Sequence, residues 1–189
     1  MTDISPACQR TADVLACVTD EHLDQPTPCE KLRLHELIAH IGMLAQAFTA
    51  AAHKDFGPLT DTAPTDGAEI DGDWRTAYPQ RLEALAAAWK DPTAWQGMTR
   101  AGGIELPAEV MGSVALAEVV IHGWDVARAV ATPYDCDPAT THACLAHLAQ
   151  FDASGTEGMF AAAVPIPPDA PDLDRVIAMS GRDPAWRLG

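Results

Sequence analysis

Three features predict an all-α protein, a four-helix bundle with a short C-terminal tail. They are four stretches with apolar residues at helical spacing, the absence of convincing strand alternation, and breaks rich in Pro, Gly and Asp between the stretches. The first stretch opens at Ser5-Pro6, with serine placed as a cap and proline at the first helical position. Cys8, Ala12, Leu15 and Val18 then recur at helical spacing and carry the helix to about Leu23. In Asp24-Gln25-Pro26-Thr27-Pro28 two prolines lie too close together for a regular helix, so this is a connector. The second helix runs from about Leu32 to Ala52, with Leu34, Leu37, Ile38, Ile41, Leu44 and Phe48 as its apolar stripe. Asp55 to Gly72 is rich in Gly, Pro, Asp and Thr and reads as a long surface loop or lid.

Trp74, Tyr78, Leu82, Leu85 and Trp89 mark the third helix, which Pro79 is expected to interrupt or restart. Asp91-Pro92 closes it, and Trp95 to Glu105 reads equally as coil or a short extended pair. Leu106-Pro107 introduces the fourth helix, from about Ala108 to Ala131, with Met111, Val114, Ala115, Glu118, Ile121, His122 and Ala129 on its inward side. In the tail, Asp137-Pro138 can cap a fifth helix through Leu145 and Leu148. Pro165, Pro167, Pro168 and Pro171 make a stiff strap, and Leu173, Val176 and Ile177 suggest a short amphipathic turn before Gly181. The expected organisation is one domain over residues 1–189, a bundle of about 5–131 with a tail of about 132–189 packed on it.

Composition narrows the function. Hydrophobic residues make up 48% and charged residues 21%, as in ordinary globular proteins. Twelve Lys and Arg against 27 Asp and Glu leave a net charge of -15. That field repels phosphate backbones and anionic headgroups, so neither nucleic acid nor a membrane is the expected partner. A small anionic substrate stays compatible, because a buried cation reverses the local potential. Cys8, Cys17, Cys29, Cys136 and Cys144 form no CxxC pair and are odd in number, against both a disulfide framework and a thiolate zinc site. Free thiols suit a reducing cytoplasm, the expected location. Met1 to Pro6 has neither the basic region nor the apolar run of a leader, and Met159 to Pro165 is too short to span a bilayer.

Three residues carry candidate chemistry. His40 lies among Leu37, Ile41 and Leu44, so its ring is expected near the core. Glu118 and His122 are four apart on the fourth helix, which places both side chains on one face. A buried glutamate needs a partner or a ligand. Two imidazoles and a carboxylate are a zinc set with a fourth position free, and they also suit iron, nickel or cobalt. The same residues are explained by a Glu118–His122 hydrogen bond with His40 an unrelated core histidine. Asp125, two turns beyond Glu118, either orients a ligand imidazole or pairs with Arg128, and the pair is the blander reading. Trp124 either packs or walls a pocket. His35 is expected at a helix edge, His22 and His53 near helix ends, and His142 and His147 away from the ligand set. Gly102-Gly103 is a turn signal, and neither Ser113 nor Ser154-Gly155 has the setting of a nucleophile elbow.

Several segments carry a family likeness: Thr27-Pro28-Cys29; Glu36-Leu37-Ile38-Ala39-His40-Ile41-Gly42; Leu106-Pro107-Ala108-Glu109; and Glu118-Val119-Val120-Ile121-His122-Gly123-Trp124-Asp125-Val126-Ala127-Arg128-Ala129. Together they resemble the metal-binding domain of the mycothiol-dependent maleylpyruvate isomerase family, within the DinB-like helical superfamily. Gly158-Met159-Phe160, Val164-Pro165-Ile166-Pro167-Pro168 and Gly181-Arg182-Asp183-Pro184 resemble its actinobacterial members. The resemblance implies an up-down-down-up four-helix bundle with a long crossover between helices two and three. It also implies a divalent ion, commonly zinc, held by His40, Glu118 and His122, and a low-molecular-weight thiol such as mycothiol as cosubstrate. Two departures stand out. The tail is too short to be the further C-terminal domain of the isomerases, and Leu32-Arg33 replaces the Trp and Thr or Ser that usually precede the histidine helix.

The function expected from the sequence is therefore a metal- and thiol-dependent isomerase or S-transferase acting on a small electrophile. A metal-dependent hydrolase and a non-catalytic metal- or ligand-binding protein are the alternatives, and a homodimer is left open.

Overall fold

The computed structural model of the protein describes residues 1–64, 67–155 and 161–188. The Gly158-Met159-Phe160 segment and the start of the Met159–Pro165 stretch lie outside these residues. The chain is mostly helical. In order it forms α1 (Ser5–Leu15), α2 (Leu34–His53), the short α3 (Pro58–Asp61), α4 (Trp74–Ala88), β1 (Met98–Ala101), β2 (Ile104–Pro107), α5 (Ala108–Ala129), α6 (Pro138–Leu148) and α7 (Asp172–Met179).

α1 departs from expectation at both ends. Ser5 is inside the helix, and the Asp3 carboxylate accepts its N–H at 2.9 Å, so the cap comes from upstream. The helix stops at Leu15 rather than near Leu23. At Thr19 the backbone turns extended and donates its N–H to His22 Nδ1 at 3.1 Å, which starts a separate one-turn 3-10 helix over Asp20–His22. A local side-chain bond has displaced the helical one. α2 opens without the usual hydroxyl cap. Instead Glu36 Oε2 accepts the Arg33 N–H at 2.7 Å. Ahead of the helix the Thr27 hydroxyl lies 3.0 and 2.9 Å from the carbonyls of Cys29 and Leu32 and closes the loop.

α4 passes through Pro79 without a break. Proline removes one N–H bond near the helix start, while buried Trp74 and Tyr78 on one side and Leu82 and Leu85 on the other anchor the turns around it. The undecided stretch after it is an antiparallel hairpin, with Met98 opposite Pro107 and Ala101 opposite Ile104. Gly102 and Gly103 take φ of 60° and 75°, the backbone that a two-residue hairpin turn of this hand requires. Part of the Asp55–Gly72 loop is tied to this hairpin. Arg100 pairs with Asp61 at 2.6 Å, and the Gly103 N–H donates to the Thr60 carbonyl at 2.8 Å.

α1 and α2 each lie against both α4 and α5 around a shared core, α6 packs on α5 and α7, and the hairpin lies against α2 and α5. Leu34, Leu37, Ile38, Leu82, Leu85 and Leu116 are enclosed there, each contributing about 1.5–3 kcal/mol relative to exposure. Two glycines permit the closest approaches. A Cβ at Gly42 would meet the Tyr78 ring at 2.7 Å, and one at Gly123 would meet the Tyr134 hydroxyl at 2.7 Å. α5 is the central helix. By length and composition it could cross a membrane, but 78% of its most apolar window is buried inside the protein. The tail returns to it. Val164 N–H donates to the Ala178 carbonyl at 2.9 Å, laying the proline-rich strap along α7.

Candidate metal centre

His40 projects from α2, and Glu118 and His122 from adjacent turns of α5. Because the two helices pack together, one donor atom from each of the three residues lies within 4.8 Å of the others. Glu118 Oε2 is 3.0 Å from His122 Nε2, and the imidazoles of His40 and His122 stand nearly perpendicular with centroids 4.9 Å apart. Among the described residues this is the one group of three or more His, Cys, Asp or Glu side chains with that convergence.

The other face of the His122 ring is also held. Its Nδ1 is 3.1 Å from Asp125 Oδ2, and Asp125 is completely buried. The partner of Asp125 beyond the histidine is Arg182, whose Nη2 donates to the same oxygen at 3.2 Å while Nη1 donates to the Ser180 carbonyl at 3.0 Å. Arg128 does not pair with Asp125. It stacks on the buried Trp124 ring at 4.9 Å and donates to the Pro184 carbonyl at 3.1 Å, so this pair clamps the end of the tail. The direction of each side chain separates them: Asp125 is enclosed in the protein, and Arg128 reaches Pro184 at the end of the tail. Arg182 is the site-facing residue that sequence reasoning did not select. Its only signal was its place in the Gly181-Arg182-Asp183-Pro184 segment.

These neighbours set the charge states. Burial opposes the imidazolium of His122, but hydrogen bonds and charge from Asp125 and Glu118 overcome it and push the pKa up to about 9. Burial opposes the Glu118 carboxylate as well, yet the His122 hydrogen bond and charge, with His40 and Arg182 nearby, hold it down to about 2. The remaining histidines do other work. His142 pairs with Asp172 at 3.2 Å, and His35 Nδ1 lies 3.0 Å from the Leu23 carbonyl. Three of the thiols are poor nucleophiles: burial pushes Cys8 and Cys144 up to about 12 and Cys136 to about 11.

His147 is buried on α6, packs edge-on against Phe151, and among the described residues finds no hydrogen-bond partner for either ring nitrogen. Burial pushes its pKa down, against the pull of Glu118. A buried polar group without a partner is destabilising, so His147→Leu is expected to stabilise the protein by about 1 kcal/mol. A urea denaturation midpoint that stays put or falls would contradict that.

The donor set suits a divalent ion. Ligands about 2 Å from a tetrahedral centre stand about 3.4 Å apart, the Glu118–His122 pair is at 3.0 Å, and all three donor atoms lie within 4.8 Å of one another. Three protein donors leave a position free for a further ligand. Asp125 Oδ2, 3.1 Å from His122 Nδ1, stands where an outer carboxylate would orient the ring if His122 held an ion.

The model of the mycothiol maleylpyruvate isomerase N-terminal domain matches residues 4–127, and the chain belongs to that family. Two uncharacterized proteins of Mycobacterium tuberculosis, from strains CDC 1551 / Oshkosh and ATCC 25618 / H37Rv, are each 28% identical over 181 residues, covering 90% of this chain and 91% of theirs. The crystal structure of a histidine-to-alanine mutant of the mycothiol-dependent maleylpyruvate isomerase aligns with a TM-score of 0.58 at 18% identity, covering 75% of this chain. At that identity the likeness is one of fold. The match spans 65% of the isomerase chain, just under two thirds of its length.

Proposed function

We propose that this protein is a divalent-metal-dependent enzyme that uses a low-molecular-weight thiol, mycothiol or a relative, to isomerise or S-alkylate a small electrophile. The observation that carries the reading is the convergence of His40, Glu118 and His122 in a chain whose family model is that of the mycothiol maleylpyruvate isomerase N-terminal domain. The fold that goes with it is one DinB-like up-down-down-up four-helix bundle over about 5–131, with the tail of about 132–189 docked on the same unit. Zinc is the first choice of ion, with nickel, iron and cobalt compatible with the donors.

Held by His40, Glu118 and His122, a divalent ion would lower the pKa of a thiol beside it and favour the nucleophilic thiolate near neutral pH. The chain's own residues have separate tasks. His40, Glu118 and His122 supply the donors, Asp125 fixes the His122 ring, and Arg182 offsets the buried carboxylate charge. Addition of the thiol sulfur to an activated double bond, rotation about the resulting single bond and elimination of the thiol would give isomerisation with no net loss of thiol. A reaction that ends at the new carbon–sulfur bond would be a transfer.

The test is elemental analysis of purified protein followed by turnover of an electrophile panel with and without mycothiol. The expected result is one equivalent of a divalent ion and turnover only when both ion and thiol are present. Equal turnover without thiol would favour metal-assisted hydrolysis, and full metal occupancy with no turnover would favour a binding protein.

A further inference from the structure

We infer that Arg182, contributed by the tail, is a positioning residue of the metal centre that acts through Asp125 to fix the His122 ring for ion binding. The inference rests on the metal reading above. It begins with the chain reversal after α7. The Gly181 N–H donates to the Ala178 carbonyl at 3.0 Å and the Arg182 N–H to the Ile177 carbonyl at 3.2 Å, a paired closure of the helix end. Gly181 sits at φ 83°, and a Cβ there would meet Ala161 at 2.7 Å, so the turn depends on glycine. The position after such a turn ordinarily takes an apolar contact; here it sends a guanidinium back into the protein.

That guanidinium answers a specific need. Asp125 is fully enclosed, and a buried carboxylate facing one imidazole would be poorly compensated. Arg182, 57 residues further along the chain, reaches the very oxygen that faces His122 Nδ1, at 3.2 Å. The Ser180 carbonyl on Nη1 holds the guanidinium head in place. With Arg182 Nη2 and His122 Nδ1 both at Asp125 Oδ2, the Nδ1 side of the ring is held toward the carboxylate and Nε2 is left to face Glu118 and His40. The tail residue thus selects which ring nitrogen faces the ion, yet it lies outside the 4–127 stretch that the family model matches.

The experiment compares zinc affinity, by competition with a chromophoric chelator, among wild type, R182M, R182K, D125N and the R182M/D125N double variant. Nitrogen NMR of the histidine rings is recorded on each. R182M is expected to bind zinc about 10–100-fold more weakly, with R182K recovering most of the loss and the double variant no weaker than D125N alone. The His122 Nδ1–H signal should be retained in R182K and lost in R182M, which a purely structural anchor would not produce. Should R182M fail to fold, the double variant, which removes both charges, must recover folding; failure of both overturns the inference. A metal-loaded wild type with unchanged affinity in R182M, or affinity losses that simply multiply in the double variant, also overturns it while leaving the metal reading intact. A wild-type protein that binds no divalent ion defeats the metal reading itself.

Discussion

Replacing His122 by alanine is expected to lower zinc affinity by more than about 100-fold and to abolish thiol-dependent turnover with it. Even outer partners of a metal ligand are worth about 10–100-fold, and His122 occupies a more central place than any of them. Its Nε2 is 3.0 Å from Glu118 and its ring is 4.9 Å from that of His40, so it contacts both other members of the set. Removing it leaves one imidazole and one carboxylate on different helices, a poor chelate. Stability is expected to fall as well, because Glu118 loses its bond to His122 and, among the described residues, Asp125 keeps only Arg182. His142→Ala is the control, since that ring pairs with Asp172 on the tail. Metal content per chain and chelator competition decide the outcome. A His122→Ala protein that carries as much zinc as wild type would remove the basis of the assigned centre.

The inward face of α5 was legible because Glu118 and His122 sit four apart amid apolar neighbours, and that spacing needs no tertiary knowledge. Placing His40 beside them required knowing that α2 packs on α5, which periodicity alone does not say; the family resemblance supplied the expectation and the structure brings the residues within 4.8 Å. Helix starts governed by strong local chemistry were readable. Asp137 accepts the N–H groups of Ala139 and Thr140 at 2.9 and 3.0 Å, as the Asp-Pro pair predicts. Starts and stops that depend on a less common partner were not. Ser5 yields its role to Asp3, and α1 ends early because His22 captures a backbone N–H. The hairpin over Met98–Pro107 left too little alternation to read, since each strand has four residues. Arg182 escaped notice for a plainer reason. A charged residue in a proline-rich tail reads as solvated, and only the turn at Gly181 reveals that it points to Asp125.

Metal binding and the intrinsic stability of the metal-free protein should respond to pH in opposite directions. The His122 pKa stands at about 9, above its ordinary value of 6.5, so the stability it contributes is complete below pH 6.5 and is lost as pH rises through 9. Glu118 stands at about 2, below its ordinary 4.5, so its contribution is present above pH 4.5 and is lost as pH falls through 2. The metal-free protein is therefore best supported by this pair between pH 4.5 and 6.5. An ion, in contrast, must displace the proton that His122 Nε2 shares with Glu118. Apparent affinity should climb by about one decade per pH unit between about pH 7 and 9, two decades in all, and level off above. Melting temperatures with and without zinc across that range provide the check. The metal-free transition should drift down while the gap between the two widens. A gap that stays constant from pH 7 to 9 would mean that binding displaces no His122 proton.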